Sequence, residues 1–110
     1  EDDSSLTPRR QSATVTLAPG AGTDYNLSVF CDNCTTSAGN SSKVGNAVET
    51  VNVRWEEKQI CLFGICTPAG GDSSRYLNIF VYHSSANRCD DYTLTVTGNT
   101  NVSTNTCTEL

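Results

Sequence analysis

Apolar and polar residues alternate one by one along five separate stretches of this 110-residue chain. Because successive side chains of a β-strand point to opposite faces, such alternation predicts strands with one face towards a core and one towards solvent. Each stretch is rich in β-branched or aromatic residues and ends near Gly, Pro, Asn or Ser, which favour turns. The stretches cover residues 13–17, 25–31, 51–55, 77–82 and 92–97.

The rest of the chain is typical of turns rather than helices. No segment keeps an apolar period of 3.6 residues, so we expect almost no helix. The apolar patch at 60–66, interrupted by Gly64, predicts a sixth strand or a tight hairpin. Residues 34–46 and 67–74 are predicted loops. Short strands at this spacing predict an all-β fold, an antiparallel β-sandwich or jelly roll.

The length and composition predict one domain with a small core. A chain of 110 residues has room for a single core, and its hydrophobic content is only 36%. Residues 1–10 are acidic and Ser-rich without an apolar period, which predicts an extended N-terminal arm. The sandwich domain is then expected to cover residues 11–110.

The cysteines predict a disulfide framework that compensates for the small core. An even number in a short chain is typical of an oxidising, extracellular compartment, so we expect a secreted protein. The six are Cys31, Cys34, Cys61, Cys66, Cys89 and Cys107.

Six cysteines allow fifteen connectivities, and spacing alone does not choose among them. A local pattern is the favoured hypothesis. It consists of the pairs Cys31–Cys34, Cys61–Cys66 and Cys89–Cys107. Zinc is an alternative, because the first four thiols have Cys-x2-Cys and Cys-x4-Cys spacings that a tetrahedral site accepts. The two remaining cysteines favour disulfides, and the expectation is no metal.

Charge and hydropathy exclude several partner classes. The net charge of −5 disfavours nucleic acid and anionic membranes. No apolar run reaches the roughly 20 residues that a spanning helix needs. Four N-x-S/T sequons occur, close to what this Ser/Thr-rich composition gives by chance. The glycosylation candidates are Asn26, Asn33, Asn40 and Asn101.

The order of the strand motifs resembles a known family. The chain runs through 24–29 (DYNLSV), a loop with Ser41-Ser42, 49–53 (ETVNV), 76–82 (YLNIFVY) and 91–96 (DYTLTV). This order is similar to that of the bacterial pre-peptidase C-terminal domain, over residues 12–97. The resemblance implies a non-catalytic β-sandwich, of a kind usually appended to secreted hydrolases for secretion, anchoring or binding of insoluble polymers such as collagen. The six cysteines depart from that pattern.

The same resemblance implies a calcium site, for which the carboxylates of Asp2, Asp3 and Asp24 are the candidate ligands. No EF-hand-like spacing accompanies them, and we expect solvated acids.

Catalytic constellations are weak in this sequence, and we expect neither an enzyme nor a cofactor. His83 is the one histidine, and no G-x-S-x-G motif marks a nucleophile. Glu56 and Glu57 are adjacent, so on a strand they point to opposite faces. The remaining partners for His83 are Ser84, Ser85, Asp90 and Asp91.

Aromatic residues on outward strand positions are the most informative candidates for function. If Leu77, Ile79 and Val81 face the core, alternating aromatics lie on the opposite face. Clustered aromatics on a solvent face are typical of contact surfaces, although a covering loop is the alternative explanation. The interface candidates are Phe30, Tyr76, Phe80 and Tyr82.

Two functions fit these features. The favoured hypothesis is an extracellular structural protein that associates with copies of itself, as a filament or matrix subunit, with its N-terminal arm added as a strand to a neighbour's sheet. The alternative is a monomeric secreted module that binds polysaccharide, collagen or a cell-surface protein through its aromatic face.

Overall fold

The computed structural model describes residues 10–56, 59–68, 74–84, 90–98 and 106–107. These residues form eight strands, all paired antiparallel, and contain no helix. The all-β prediction is therefore confirmed. In this part of the chain no helix has the length and apolar character to cross a bilayer. The strands are β1 (Arg10–Pro19), β2 (Tyr25–Cys31), β3 (Ser37–Ser41), β4 (Glu49–Glu56), β5 (Gln59–Leu62), β6 (Ile65–Pro68), β7 (Leu77–His83) and β8 (Tyr92–Gly98).

Two three-stranded sheets pack face to face in a sandwich-like arrangement. The first sheet has the order β4-β1-β8 and the second the order β3-β2-β7, while β5 and β6 form a separate two-stranded hairpin. The core lies between the first two sheets. Its buried members are Val15, Leu17, Tyr25, Leu27, Val29, Cys31, Ala38, Val51, Val53, Trp55 and Cys107.

The period-two pattern places these residues inside. Along β2, buried positions alternate with half-buried ones from Tyr25 to Cys31. Leu27 pairs with Val81 of β7, and Leu77, Ile79 and Val81 pack against the core, as their alternation predicts. Each fully buried Leu or Val stabilises the fold by roughly 1.5–3 kcal/mol relative to an exposed side chain.

Strand β3 lies in the segment that the sequence predicts to be a loop, so that prediction was wrong. Its sequence, SAGNS, has no apolar alternation, and only Ala38 is buried. Tertiary context forms the strand: β3 pairs with β2 and packs close to β4. A Cβ on Gly39 would come within 3.0 Å of a Val51 methyl, so the absent side chain permits this close approach.

One disulfide crosses the sandwich. Cys31, at the end of β2, is bonded to Cys107, with 5.9 Å between Cα atoms and 76 residues of sequence separation. The backbone N–H groups of Thr106 and Cys107 donate to the Arg54 carbonyl at 3.1 and 3.2 Å, which holds this segment beside β4. The predicted pairs Cys31–Cys34 and Cys89–Cys107 are wrong.

The direction of the Cys31 side chain explains the error. It follows the buried positions of β2 into the core, whereas Cys34 lies on an exposed turn as a free thiol. Asn33 closes that turn in place of a disulfide, because its Oδ1 accepts from the backbone N–H of Thr35 at 2.8 Å and of Thr36 at 2.7 Å. Cys89 lies outside the described residues.

The second disulfide, Cys61–Cys66, is the predicted one and joins facing residues of the β5–β6 hairpin. With three of the four proposed thiols in two disulfides, the zinc alternative is wrong. Over the described ranges, no group of three or more His, Cys, Asp or Glu side chains is placed to hold a metal ion.

Candidate interaction surfaces

The sandwich is closed along one side and open along the other. On the closed side β3 and β4 approach each other closely. On the opposite side lie β7 and β8, each the last strand of its sheet, and no Cα of β7 comes within 8 Å of a Cα of β8. We call this gap the open side; it is lined by Ile79 and Val81 of β7 and by Leu94 and Val96 of β8.

The inward face of β8 is exposed although it points towards the core. Val96 pairs with Val15 and Leu94 with Leu17, so these side chains share the face of two fully buried residues. Leu94 is nevertheless 39% and Val96 52% exposed. Among the described strands, only β1 has Cα atoms within 8 Å of β8, and the apolar surface of Leu94 and Val96 remains available to a partner.

A polar and aromatic cluster ties the two sheets together at one end of the open side. The Tyr25 ring meets His83 of β7 at 5.0 Å and Tyr92 of β8 at 5.2 Å, both edge to face. Its hydroxyl donates to the Asp90 carbonyl at 2.9 Å. The cluster leaves Leu94 and Val96 exposed further along the strand.

The candidate catalytic residues meet only in part. The His83 imidazole Nε2 lies 4.0 Å from a carboxylate oxygen of Asp90. Ser84 is exposed and its backbone N–H donates to the Asp24 carbonyl at 3.0 Å; Ser85 lies outside the described residues. Asp91 is exposed, and its carbonyl accepts from the Gly20 N–H at 3.2 Å. The contacts of His83 join β7 to the start of β8.

Of the carboxylate candidates, the structure describes Glu56 and Asp24. Glu56 forms an ion pair with Arg54 at 2.9 Å. Asp24 begins the segment that leads into β2, where its carbonyl holds Ser84. Asp2, Asp3 and Glu57 lie outside the described residues.

The outward face of the second sheet carries the predicted aromatics. Phe30 and Phe80 contact each other edge to face at 5.4 Å. Phe80 and Tyr82 are close to half exposed, and Tyr76 is largely exposed just before β7. These four residues form what we call the aromatic face. Its polar neighbours are Asn26, Ser28 and Asn78.

The outward face of the first sheet is polar by contrast. Thr93, Thr95 and Thr97 of β8 lie beside β1, and Thr14 donates to the Asn52 side-chain oxygen at 2.8 Å. Strand β8 therefore has one apolar and one hydroxyl-bearing face, and both are exposed.

The β5–β6 hairpin projects apart from the two sheets. Among the described strands, β5 and β6 come close only to each other. An isolated two-stranded hairpin is marginally stable in water, and the Cys61–Cys66 disulfide stabilises this hairpin by joining its two strands. The pairs Leu62–Ile65 and Ile60–Thr67 share a face, on which the three apolar side chains are largely exposed.

The hairpin turn has an unfavourable residue at its tip. Phe63 and Gly64 connect the strands with φ values of 51° and 79°, as a type I′ turn requires. Asn or Asp is preferred at the first position, and a bulky residue at positive φ costs on the order of 1 kcal/mol. The Phe63 side chain is also fully exposed. Sequence reasoning predicted a hairpin or strand here but did not single out Phe63; the Phe-Gly pair in place of Asn-Gly was the available signal.

Three of the four sequons fall on described residues. Asn26 lies on the outward face of β2 directly opposite Tyr82, so a glycan there would cover the aromatic face. Asn33 lies in the turn after β2, and Asn40 is exposed on β3. Asn101 lies outside the described residues.

No family model, curated protein or solved structure matches this chain. The resemblance to the pre-peptidase C-terminal domain therefore stays a prediction. Among the residues that carry it, the Ser41 hydroxyl donates to the buried Glu49 carboxylate, a contact between neighbouring strands that does not test the family.

Proposed function

We propose that this protein is a non-catalytic extracellular structural subunit that associates with copies of itself through the open side. The observation that carries the proposal is the solvent exposure of Leu94 and Val96 on a strand face that points into the sandwich. Monomeric proteins rarely leave such apolar rows uncovered, and the edges of β7 and β8 offer backbone groups for an added strand.

The absence of charged residues from β7 and β8 supports self-association through the open side. Strands β7 (LNIFVYH) and β8 (YTLTVTG) contain no Asp, Glu, Lys or Arg. The whole chain carries a net charge of −5, which opposes association of identical copies. An uncharged contact surface lets copies approach with the least repulsion. The extracellular location rests on the two disulfides, which are typical of oxidising compartments.

Val96→Lys is the direct test of the open side. A lysine there places a charge in the contact, and we expect association to weaken by roughly 100-fold or more. Light scattering coupled to chromatography measures this as a shift from assemblies towards the 11.8 kDa monomer. Because Val96 is half exposed, the thermal midpoint should change little.

Thr95→Lys is the matched control, because the adjacent side chain points to the outward face of the same strand. It adds the same charge and should leave assembly unchanged. Wild-type protein that stays monomeric at all concentrations would contradict the proposed function, as would equal effects of the two lysines.

The aromatic face supports a second function, binding of an extracellular polymer such as a glycan or collagen. Phe80 and Tyr82 present exposed rings beside amide and hydroxyl groups, a combination that suits sugar rings. Phe80→Ala with Tyr82→Ala should lower retention on chitin, cellulose or collagen by about tenfold or more. Val96→Lys serves as the control that leaves this face intact. Equal retention of the double variant and wild type would exclude the aromatic face as the binding surface.

A further inference from the structure

The β5–β6 hairpin has the properties of a docking element. It projects from the sandwich, shows an apolar face to solvent, and ends in a fully exposed Phe63. No residue from Gln59 to Pro68 is charged, although the chain has 19 charged residues (7 basic and 12 acidic). An apolar and uncharged projection of this kind is expected to be covered in the working protein.

The turn provides an independent observation. Asn at position 63 would relieve the positive-φ strain and remove an exposed aromatic ring, so folding alone favours it. Phe63 improves neither the turn nor the packing of the described strands. A local rule that is broken without structural gain points to a role in binding.

The surface that fits the hairpin lies on the same chain. The open side is apolar and uncharged, runs along two sheet edges, and is not filled by the chain's own hairpin. The hairpin offers a matching apolar face of Ile60, Leu62 and Ile65, and its strands have outer edges of their own. The net charge of −5 favours contact through these uncharged surfaces over contact through surfaces that carry acidic residues.

We propose that the β5–β6 hairpin of one copy docks into the open side of a second copy, with Phe63 as its apolar anchor. This inference rests on the proposed self-association and names the element that fills the open side. Donor and acceptor are different surfaces, so the contact is heterologous and each added copy presents a fresh open side. Repetition gives a ring if the rotation closes and a filament if it does not.

Phe63→Asn separates binding from stability. It should weaken association by roughly 100-fold, as removal of a buried aromatic anchor does, while the thermal midpoint stays equal or rises. Leu62→Thr with Ile65→Thr is a second variant, which keeps strand propensity and the Cys61–Cys66 disulfide but makes the hairpin face polar. Both should be monomeric by sedimentation velocity at concentrations where wild type assembles.

Mixing the variants gives the decisive result. Phe63→Asn retains the open side and Val96→Lys retains the hairpin, so each alone should be monomeric while an equimolar mixture forms heterodimers. Recovery of a dimer in the mixture supports docking of hairpin into open side. A mixture that stays monomeric overturns it.

Other occupants of the open side, or another role for the hairpin, would give different outcomes. If Phe63→Asn assembles like wild type while removal of residues 1–9 produces monomers, the N-terminal arm fills the open side and the hairpin inference is wrong. If Phe63→Asn assembles normally but no longer partitions onto phosphatidylcholine vesicles, the hairpin contacts lipid and the inference is again wrong. In both cases the proposed function survives, because assembly still depends on Val96. If wild type is monomeric, the function and the inference fail together.

Discussion

Replacing Cys31 and Cys107 together by alanine is expected to lower the free energy of unfolding by about 4 kcal/mol. The disulfide closes a loop of 76 residues, and the chain-entropy model assigns about 4 kcal/mol to a loop of that length. Both sulfur atoms are buried, so the variant also loses packing between β2 and the segment beside β4. For a domain of this size the thermal midpoint should fall by roughly 15 °C in calorimetry.

The control is Cys61→Ala with Cys66→Ala, which removes a disulfide from the same chain. Its loop spans 5 residues, and the hairpin approaches no other described strand. The loss should stay local to the hairpin, with a midpoint shift of a few degrees or less and increased amide exchange confined to β5 and β6. Equal shifts for the two double variants would contradict the inter-sheet role of Cys31–Cys107.

Glu49→Ala is expected to lower the free energy of unfolding by about 3 kcal/mol. The Glu49 side chain is fully buried at the start of β4. Its carboxylate accepts from the Ser41 hydroxyl and from the Lys43 backbone N–H, the latter at 2.6 Å. Alanine removes the acceptor of two partly buried hydrogen bonds and leaves a cavity at a fully buried position. These contacts attach the end of β3 to β4. Denaturant unfolding should therefore measure the whole decrease in the free energy of unfolding.

Glu56→Ala is the matched control at the other end of β4. Its ion pair with Arg54 is partly buried, with 13% and 21% of the two side chains exposed, so solvent still reaches both charges and we expect a smaller loss, of about 1 kcal/mol. Similar losses for the two alanine variants would show that Glu49 does not hold β3 to β4.

The interior of the sandwich was predictable from the sequence because a strand's period of two is a local property. Leu27 and Val81 are apolar at alternating positions, and both face the core. The outward position of Phe80 follows from the same alternation. Strand β3 was not predictable in this way, since SAGNS carries no apolar pattern and its pairing depends on β2 and β4.

The two disulfides also differ in whether local sequence or tertiary packing brings their cysteines together. Cys61 and Cys66 flank a short apolar turn, so their pairing follows from local hairpin geometry. The bond from Cys31 to Cys107 joins residues 76 apart, and only the packing of the two sheets brings them together. The favoured hypothesis gave Cys31 a local partner, but the inward direction of its side chain selects a distant one.

The sequence by itself determined the all-β class and the inner and outer faces of the long strands, because both depend on residues close together in the chain. It also favoured the Cys61–Cys66 pair, which lies within one short hairpin. The tertiary structure alone decided which sides of the sandwich close. The alternation of Tyr92, Leu94 and Val96 predicts an inward face for β8, and its register with β1 agrees. Whether an opposing strand covers that face depends on sheet order and twist, which no local pattern encodes; here it stays open, and the candidate interaction surface is the result.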